Sequence, residues 1–543
     1  MTPQSNPAPH ESPRSSLLLA FFLLLTAILS LLCSHARLLE QDEFLSFYSD
    51  SVATFQQVVL VQLHHPISLD PPTYHLLSHL CMDLLGRNAI ALRLPALAGF
   101  LLFQLCLFFF VRRLAGSRAG VIAASVPLLT ASFRYSVEGR PYGLLLGLYA
   151  LSLLCWQIAT QTATQDDNSP RSRLLPLAGL TFSIALAITS HYFGVLILIP
   201  VSLGELARII IRKRLDYGVF AALTLGLASV GLILPFQKAL MVYRQHYYIT
   251  GVNIHDISQG YRELFLRYTT WPIPLQKLAA AIMVVLALTL AVAGYKRFKR
   301  RPATEHAYTW VALSAMALLP FFGYLFGRFV THTMEVRYVI AALIAFAATF
   351  AIVLERRLRY NLFYYATLAL LFLAALDINT WNIVKERRAS NEILASLTLS
   401  PALTAELAAN PSARLYEQSL SNFYIDSFYA PDAQLRSRFT LVYNPDLEVL
   451  FLKHDTNAIT ALNMQHFTQL PIVDYQQLQH DPGPHLLLQF HDGWNWLDRA
   501  LLLQRAQITP LGTAFNGEAL SVQWPPSTPI NPAPVTLPAR AHS

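Results

Sequence analysis

The chain has 543 residues, 54% of them hydrophobic and 13% charged, with a mean hydropathy of +0.40. A globular domain carries about 25% charged residues, so a wholly water-soluble protein is excluded, and repeated apolar runs near 20 residues indicate an integral membrane protein. The +8 balance sits in short clusters between apolar runs, which is a topology signal and not a nucleic-acid footprint.

Taken in order, Met1–Arg14 is polar and Pro-rich and reads as a disordered cytoplasmic tail. The apolar run Ser15–Ser34 lacks a strong basic flank and a clear small-residue cleavage site, so it reads as a retained first span. Ten further candidate spans follow, near 93–111, 119–133, 142–160, 174–190, 193–211, 217–236, 275–295, 308–327, 338–354 and 361–379. Every second loop is basic: Arg112-Arg113 with Arg118, Arg171 with Arg173, Arg212-Lys213-Arg214, Lys296-Arg297 with Lys299-Arg300-Arg301, and Arg356-Arg357 with Arg359. The positive-inside rule places these loops in the cytoplasm of the plasma (inner) membrane. Eleven spans then put the N-terminus inside and the C-terminal region outside.

The remaining loops share the outer face, and that face collects the polar motifs. The first, residues 34–92, holds Asp42-Glu43 and Asp70-Pro71-Pro72. Thr73, Leu76, Leu77, Leu80 and Leu84 recur at helical spacing, which predicts a helix lying in the interface plane. Beyond residue 380 the composition changes. Residues 380–524 read as an extracytoplasmic α/β domain, with strand-like runs at Phe439–Tyr443, Val449–Leu452, His485–Phe490 and Ala519–Trp524 and helices at Asn391–Ala409 and Trp494–Gln504. The Pro-rich stretch Pro525–Ser543 reads as a disordered tail. Cys33, Cys81, Cys106 and Cys155 lie in or beside apolar segments and form no disulfide or metal framework by spacing.

Several residues suit chemistry. Carboxylates next to a bilayer are costly unless they face water or a polar cavity. Asp42 and Glu43 suit a catalytic base, with helix N-capping as the plainer role. Asp70, fixed by the Pro pair, suits acceptor positioning or a divalent ion shared with Glu43; a turn-starting Asp is the plainer role. His75 and His79, with Asp83, fall on one face of the interfacial helix, a spacing that fits metal binding or a wet polar face. Glu138 and Arg140 precede a span that begins at Tyr142, and Arg337 precedes Tyr338 at another. Each arginine suits a lipid phosphate held by paired hydrogen bonds, or snorkelling to headgroups. The tyrosines also fit an aromatic belt. His191 and His246 sit at outer ends of spans, where a lone His is usually structural. No phosphate-cradling glycine loop, HExxH or CxxC occurs in its required context, so no nucleotide cofactor is expected.

The ordered set Asp42-Glu43, Asp70-Pro71-Pro72-Thr73-Tyr74, Leu84-Leu85-Gly86, Ala91-Leu92-Arg93-Leu94-Pro95, Tyr135-Ser136-Val137-Glu138-Gly139-Arg140-Pro141-Tyr142, His191-Tyr192-Phe193-Gly194 and Arg337-Tyr338 resembles glycosyltransferase family 39. That group contains the protein mannosyltransferases and aminoarabinose transferases. The resemblance covers residues 15–355 and implies a mainly α, GT-C-type membrane catalytic domain, here bounded as 15–379. It also implies an inverting transferase working outside the cytoplasm. The sugar comes from a polyprenyl-phosphate donor and passes to a lipid, glycan or protein acceptor. It further implies Asp42 as the acceptor-activating carboxylate with Glu43 beside it, and Arg140 and Arg337 near the donor phosphate. Asp70 falls where some members use an acid or His near a divalent metal ion, and His246 is the nearest match to a second metal-holding position. This chain has Leu69-Asp70 where many relatives carry His or Lys, and residues from 380 onward match no acceptor-binding module. A transporter or flippase of a polyprenyl-linked substrate is the alternative, as is a non-catalytic membrane protein presenting its outer domain. Transporters tend to show inverted repeats with polar groups at mid-membrane, whereas here the polar groups gather at one interface and no repeat is visible.

Overall fold

In a computed structural model, residues 13–162, 170–243, 251–265, 273–300, 307–480, 485–490 and 493–524 are described. Both terminal tails fall almost wholly outside this set, and His246 lies outside it. The chain divides into two compact units, Met1–Met241 with Ile249–Ser390, and Val242–Tyr248 with Asn391–Ser543.

Among the described residues of the first unit, nine helices are long and apolar enough to cross a membrane. The count is ten if Ala307–Ala317 and Leu319–Thr331, bent by 54°, form one span. The protein is therefore an integral, multi-pass membrane protein. The remaining segment of the expected eleven, near 119–133, is α-helical only over Ser117–Ser125 and tightens into a 3-10 turn over Val126–Leu129. Pro127 cannot donate to the helical ladder, which suits that change.

The first span, α1 (Pro13–Ala36), is followed by three short helices: α2 (Gln41–Asp50), α3 (Phe55–His64) and α4 (Pro72–Leu85). Glu40 caps α2 in a capping box with Glu43, whose carboxylate accepts from the Glu40 backbone N–H at 3.1 Å. The helix α4 forms where the leucine spacing predicts it. Pro72 opens it, and Gly86, at φ +88°, closes it in a conformation that side chains rarely adopt. Its leucines Leu77, Leu80 and Leu84 are exposed, while His75, Ser78 and His79 are buried. The wet-polar-face reading of the histidines is thus reversed, because beside a bilayer it is the apolar face that turns outward.

The next two long spans, α5 (Ala89–Ala115) and α6 (Tyr142–Thr162), pack backbone to backbone. A Cβ on Gly99 would run into the Leu144 backbone, and one on Gly143 into the Ala96 carbonyl. Small residues permit such approach where helices lack a hydrophobic drive to associate. This contact fixes the start of α5 beside the loop that precedes α6.

The second unit holds a six-stranded sheet in the order β3-β2-β1-β4-β6-β5. Its strands are β1 (Leu415–Glu417), β2 (Phe439–Tyr443), β3 (Ile472–Asp474), β4 (His485–Gln489), β5 (Gln507–Ala514) and β6 (Gly517–Gln523). The first four are mutually parallel and the last two antiparallel. The run Val449–Leu452, expected as a strand, is instead the end of the helix Pro445–Leu452. Asn444 caps that helix, Pro445 takes its first position, and Asp446 and Glu448 lie in its first turn.

Three buried acids mark this unit. Burial pushes the carboxyls of Glu417 and Asp426 well above the usual range, and each raises the cost of ionising the other. Burial pushes Glu448 up to about 8. A folded-state pKa above the unfolded one adds stability at low pH that is lost as pH rises through the folded value. The thermal stability of this unit is expected to fall progressively as pH is raised from about 4.5 to about 8. Glu448→Gln should flatten that dependence.

Candidate active site

The site forms where the end of α1, the start of α5, the loop 137–141 and the start of the span Val336–Arg357 converge. Its frame is built on Arg93, buried near the start of α5 among apolar neighbours in sequence. Nε and NH2 grip Glu43 Oε1 and Oε2 at 2.8 Å each. NH1 donates to the Ser34 carbonyl at 2.8 Å and to the Arg37 carbonyl at 3.1 Å, and NH2 also reaches the Leu38 carbonyl at 2.9 Å. One guanidinium thus satisfies carbonyls left open where α1 ends.

Glu43 passes this order on. Its Oε1 accepts from the Gly139 N–H at 2.6 Å, and Arg37 lies 3.2 Å from Oε2. Position 139 has no room for a side chain, since a Cβ there would strike Leu92. Burial pushes the Glu43 carboxyl up, but Arg37 and Arg93 overcome it and hold it down to about 2. Every oxygen of Glu43 is therefore engaged in holding backbone and arginine.

Asp42, one residue earlier, points the other way. Its Oδ2 lies 3.1 Å from Arg337 NH1, and its side chain is 36% exposed. Burial raises its pKa, while Arg140 and Arg337 outweigh that effect and hold the carboxyl below the usual range. Asp42 is ionised at neutral pH and open to solvent.

Arg140 NH2 pairs with Asp70 Oδ2 at 2.8 Å, and NH1 donates to Ser68 Oγ at 3.0 Å and to the Asp42 carbonyl at 3.4 Å. Asp70 Oδ1 lies 3.6 Å from His191 Nε2. His191 Nδ1 accepts from the Phe193 N–H at 3.1 Å, so the ring proton is on Nε2, facing Asp70. Burial holds the His191 pKa down to about 4, against the pull of Asp70, so the ring is neutral. Tyr142 and Tyr338 line the same place. The Arg337 guanidinium stands 5.4 Å from the Tyr142 ring centre, and the Tyr338 ring is 4.7 Å from His191. The Nε atoms of Arg140 and Arg337 are buried with no hydrogen-bond partner. Two guanidinium groups with donors to spare, beside an ionised carboxylate, form a place suited to an oxyanion and a reacting hydroxyl.

Asp42, Asp70, Arg140, Tyr142, His191, Arg337 and Tyr338 are thus brought together, with Glu43 in their frame and Glu138 at their edge, while His75 and His79 lie elsewhere. Glu138 pairs with Arg134, Nε to Oε2 at 3.3 Å, and burial raises its pKa. His75 Nδ1 bonds Asp50 Oδ1 at 2.7 Å, and His79 Nδ1 bonds the Asp50 carbonyl at 2.8 Å. They form a polar core for the loop helices, with Ser78 also on Asp50. His246, the second expected metal-holding residue, lies outside the described residues, so only the other candidate ligands can be placed. Asp70 faces a guanidinium, Glu43 is fully engaged, and no group of three acids, histidines or cysteines among the described residues has ligand geometry. Ser68, Arg93, Arg134 and Asp50 escape the sequence reading as site or frame residues. For Arg93 the signal was present, since a charge inside an apolar helix is expensive unless paired.

No curated protein matches the chain in sequence. Residues 69–234 match the family of dolichyl-phosphate-mannose-protein mannosyltransferases. That stretch contains Asp70, Arg140, Tyr142 and His191, but not Asp42 or Arg337. Among solved structures, apo ArnT from Cupriavidus metallidurans superposes with a TM-score of 0.57 at 13% identity, covering 94% of this chain and 98% of ArnT. ArnT bound to undecaprenyl phosphate gives 0.53 at 13% identity, covering 92% and 97%. The chain therefore has the membrane-embedded GT-C fold of these solved structures.

Proposed function

We propose that the protein is an inverting glycosyltransferase that moves a sugar from a polyprenyl-phosphate donor to an acceptor hydroxyl on a lipid, glycan or protein, at the extracytoplasmic face. The observation that carries this reading is the meeting of Asp42 with Arg337 and Arg140, drawn from the first loop and from two distant span starts. Asp42 takes the proton of the acceptor hydroxyl as the oxygen attacks the anomeric carbon. The guanidinium groups neutralise the phosphate that leaves from the opposite side. Glu43 acts as a positioning residue that aligns Asp42 and the loop carrying Arg140. The ligand named for the bound ArnT structure, a polyprenyl phosphate, supports the donor class.

Two measurements test the reading. The full chain should consume undecaprenyl-phosphate-linked sugar when given extracts of its own membranes, and mass spectrometry of a deletion strain should show a glycolipid or glycoprotein lacking one sugar. No consumption and an unchanged glycan profile would refute it. Arg140→Ala is expected to raise the donor KM by about tenfold to a hundredfold, in line with losing a charged hydrogen-bond pair. Kinetics at varied donor concentration would show this, and an unchanged KM would remove Arg140 from phosphate binding.

A further inference from the structure

The two arginines of the site are held differently. Arg140 is anchored by Asp70, Ser68 and the Asp42 carbonyl. Among the described residues Arg337 has one carboxylate partner, Asp42 Oδ2 at 3.1 Å, and a buried Nε–H with no partner, and it is 28% exposed. Among the described residues each arginine is in ion-pair contact with one acid, Arg140 with Asp70 and Arg337 with Asp42, so these two pairs carry no net positive charge of their own for an anion.

Group transfer changes this balance, on the reading that the donor is a polyprenyl-phosphate sugar. The acceptor O–C1 bond forms, the bond between C1 and the phosphate oxygen breaks, and the acceptor proton goes to Asp42. The donor phosphodiester carries one negative charge. The departing monoester acquires a second, since its last proton leaves with a pKa near 6. Asp42 becomes neutral in the same event and ceases to be a counter-ion.

We propose that Arg337 is handed from Asp42 to the leaving phosphate during transfer, so that the base and the leaving-group stabiliser are a single switch. The salt bridge of the resting site holds the guanidinium in waiting, and protonation of Asp42 frees it as the new phosphate charge appears. One consequence can be measured without catalysis. The charge of Asp42 opposes binding of the monoester product, because the two compete for one guanidinium. The other charged groups facing Asp42 are Arg140 and Glu43, with Glu138 and Glu335 facing Arg337, and none of these changes in the test.

The experiment titrates the full-length chain in lipid nanodiscs with undecaprenyl phosphate alone, at one pH and salt concentration, by native mass spectrometry or calorimetry. Asp42→Asn should bind it about tenfold more tightly than the unaltered chain, as expected for removing a competing partner of one charged hydrogen bond. Arg337→Gln should bind it more weakly. In the double variant the gain from Asp42→Asn should shrink to about twofold or less relative to Arg337→Gln, because the competition has lost its object. Equal or weaker binding by Asp42→Asn, or a full tenfold gain in the double variant, would overturn the hand-over while leaving the donor class standing. No binding by any form would overturn the donor class and the hand-over together.

Discussion

Asp42→Asn is expected to lower transfer by about 10²–10⁴-fold, the usual worth of a positioned general base. The substitution is nearly isosteric and keeps an oxygen facing Arg337, so the pair loses charge rather than shape. The start of α2 should survive, because its cap uses Glu40 and Glu43. Initial rates at saturating donor, set beside an unchanged melting temperature, would isolate the chemical role. Near-normal turnover would remove Asp42 as the base.

The largest effect on stability is expected at Arg93. Arg93→Ala leaves Glu43 buried without its bidentate partner and opens the Ser34, Arg37 and Leu38 carbonyls. Removing one member of a buried pair costs about 3–5 kcal/mol, enough to abolish most folded protein in a marginally stable chain. Arg93→Lys should recover little, since an ammonium cannot span both Glu43 oxygens and the three carbonyls. Detergent-solubilised yield and thermal stability would report the loss. A stable Arg93→Ala protein would show that Arg37 alone can hold Glu43.

The membrane class and the loop that carries the site were legible in the sequence, because bilayer thickness imposes a length and charge is expensive inside it. Proline and leucine spacing likewise foretold α4. What could not be read was which way neighbours point. Asp42 and Glu43 are adjacent in sequence, yet one faces Arg337 and the other Arg93, and only tertiary packing separates them. His75 and His79 looked solvated because polar faces usually are, but a helix beside lipid turns its leucines outward. In the second unit, Val449–Leu452 looked like a strand by composition, although Asn444-Pro445-Asp446 just before it is a helix start. The short strands β1 and β3, three residues each, give too little pattern to detect.

The glycine seam between α5 and α6 divides the labour of the two walls of the site. Gly99 and Gly143 lock their helices without a side chain between them, and Arg93 has no donor to lend to movement. That wall is an anvil. The wall that carries Arg337 follows a helix pair bent by 54°, and among the described residues its guanidinium has a single acidic tether. Under the proposed function a long isoprenoid slides in and out on every turnover, and the second wall is the one we expect to yield to it.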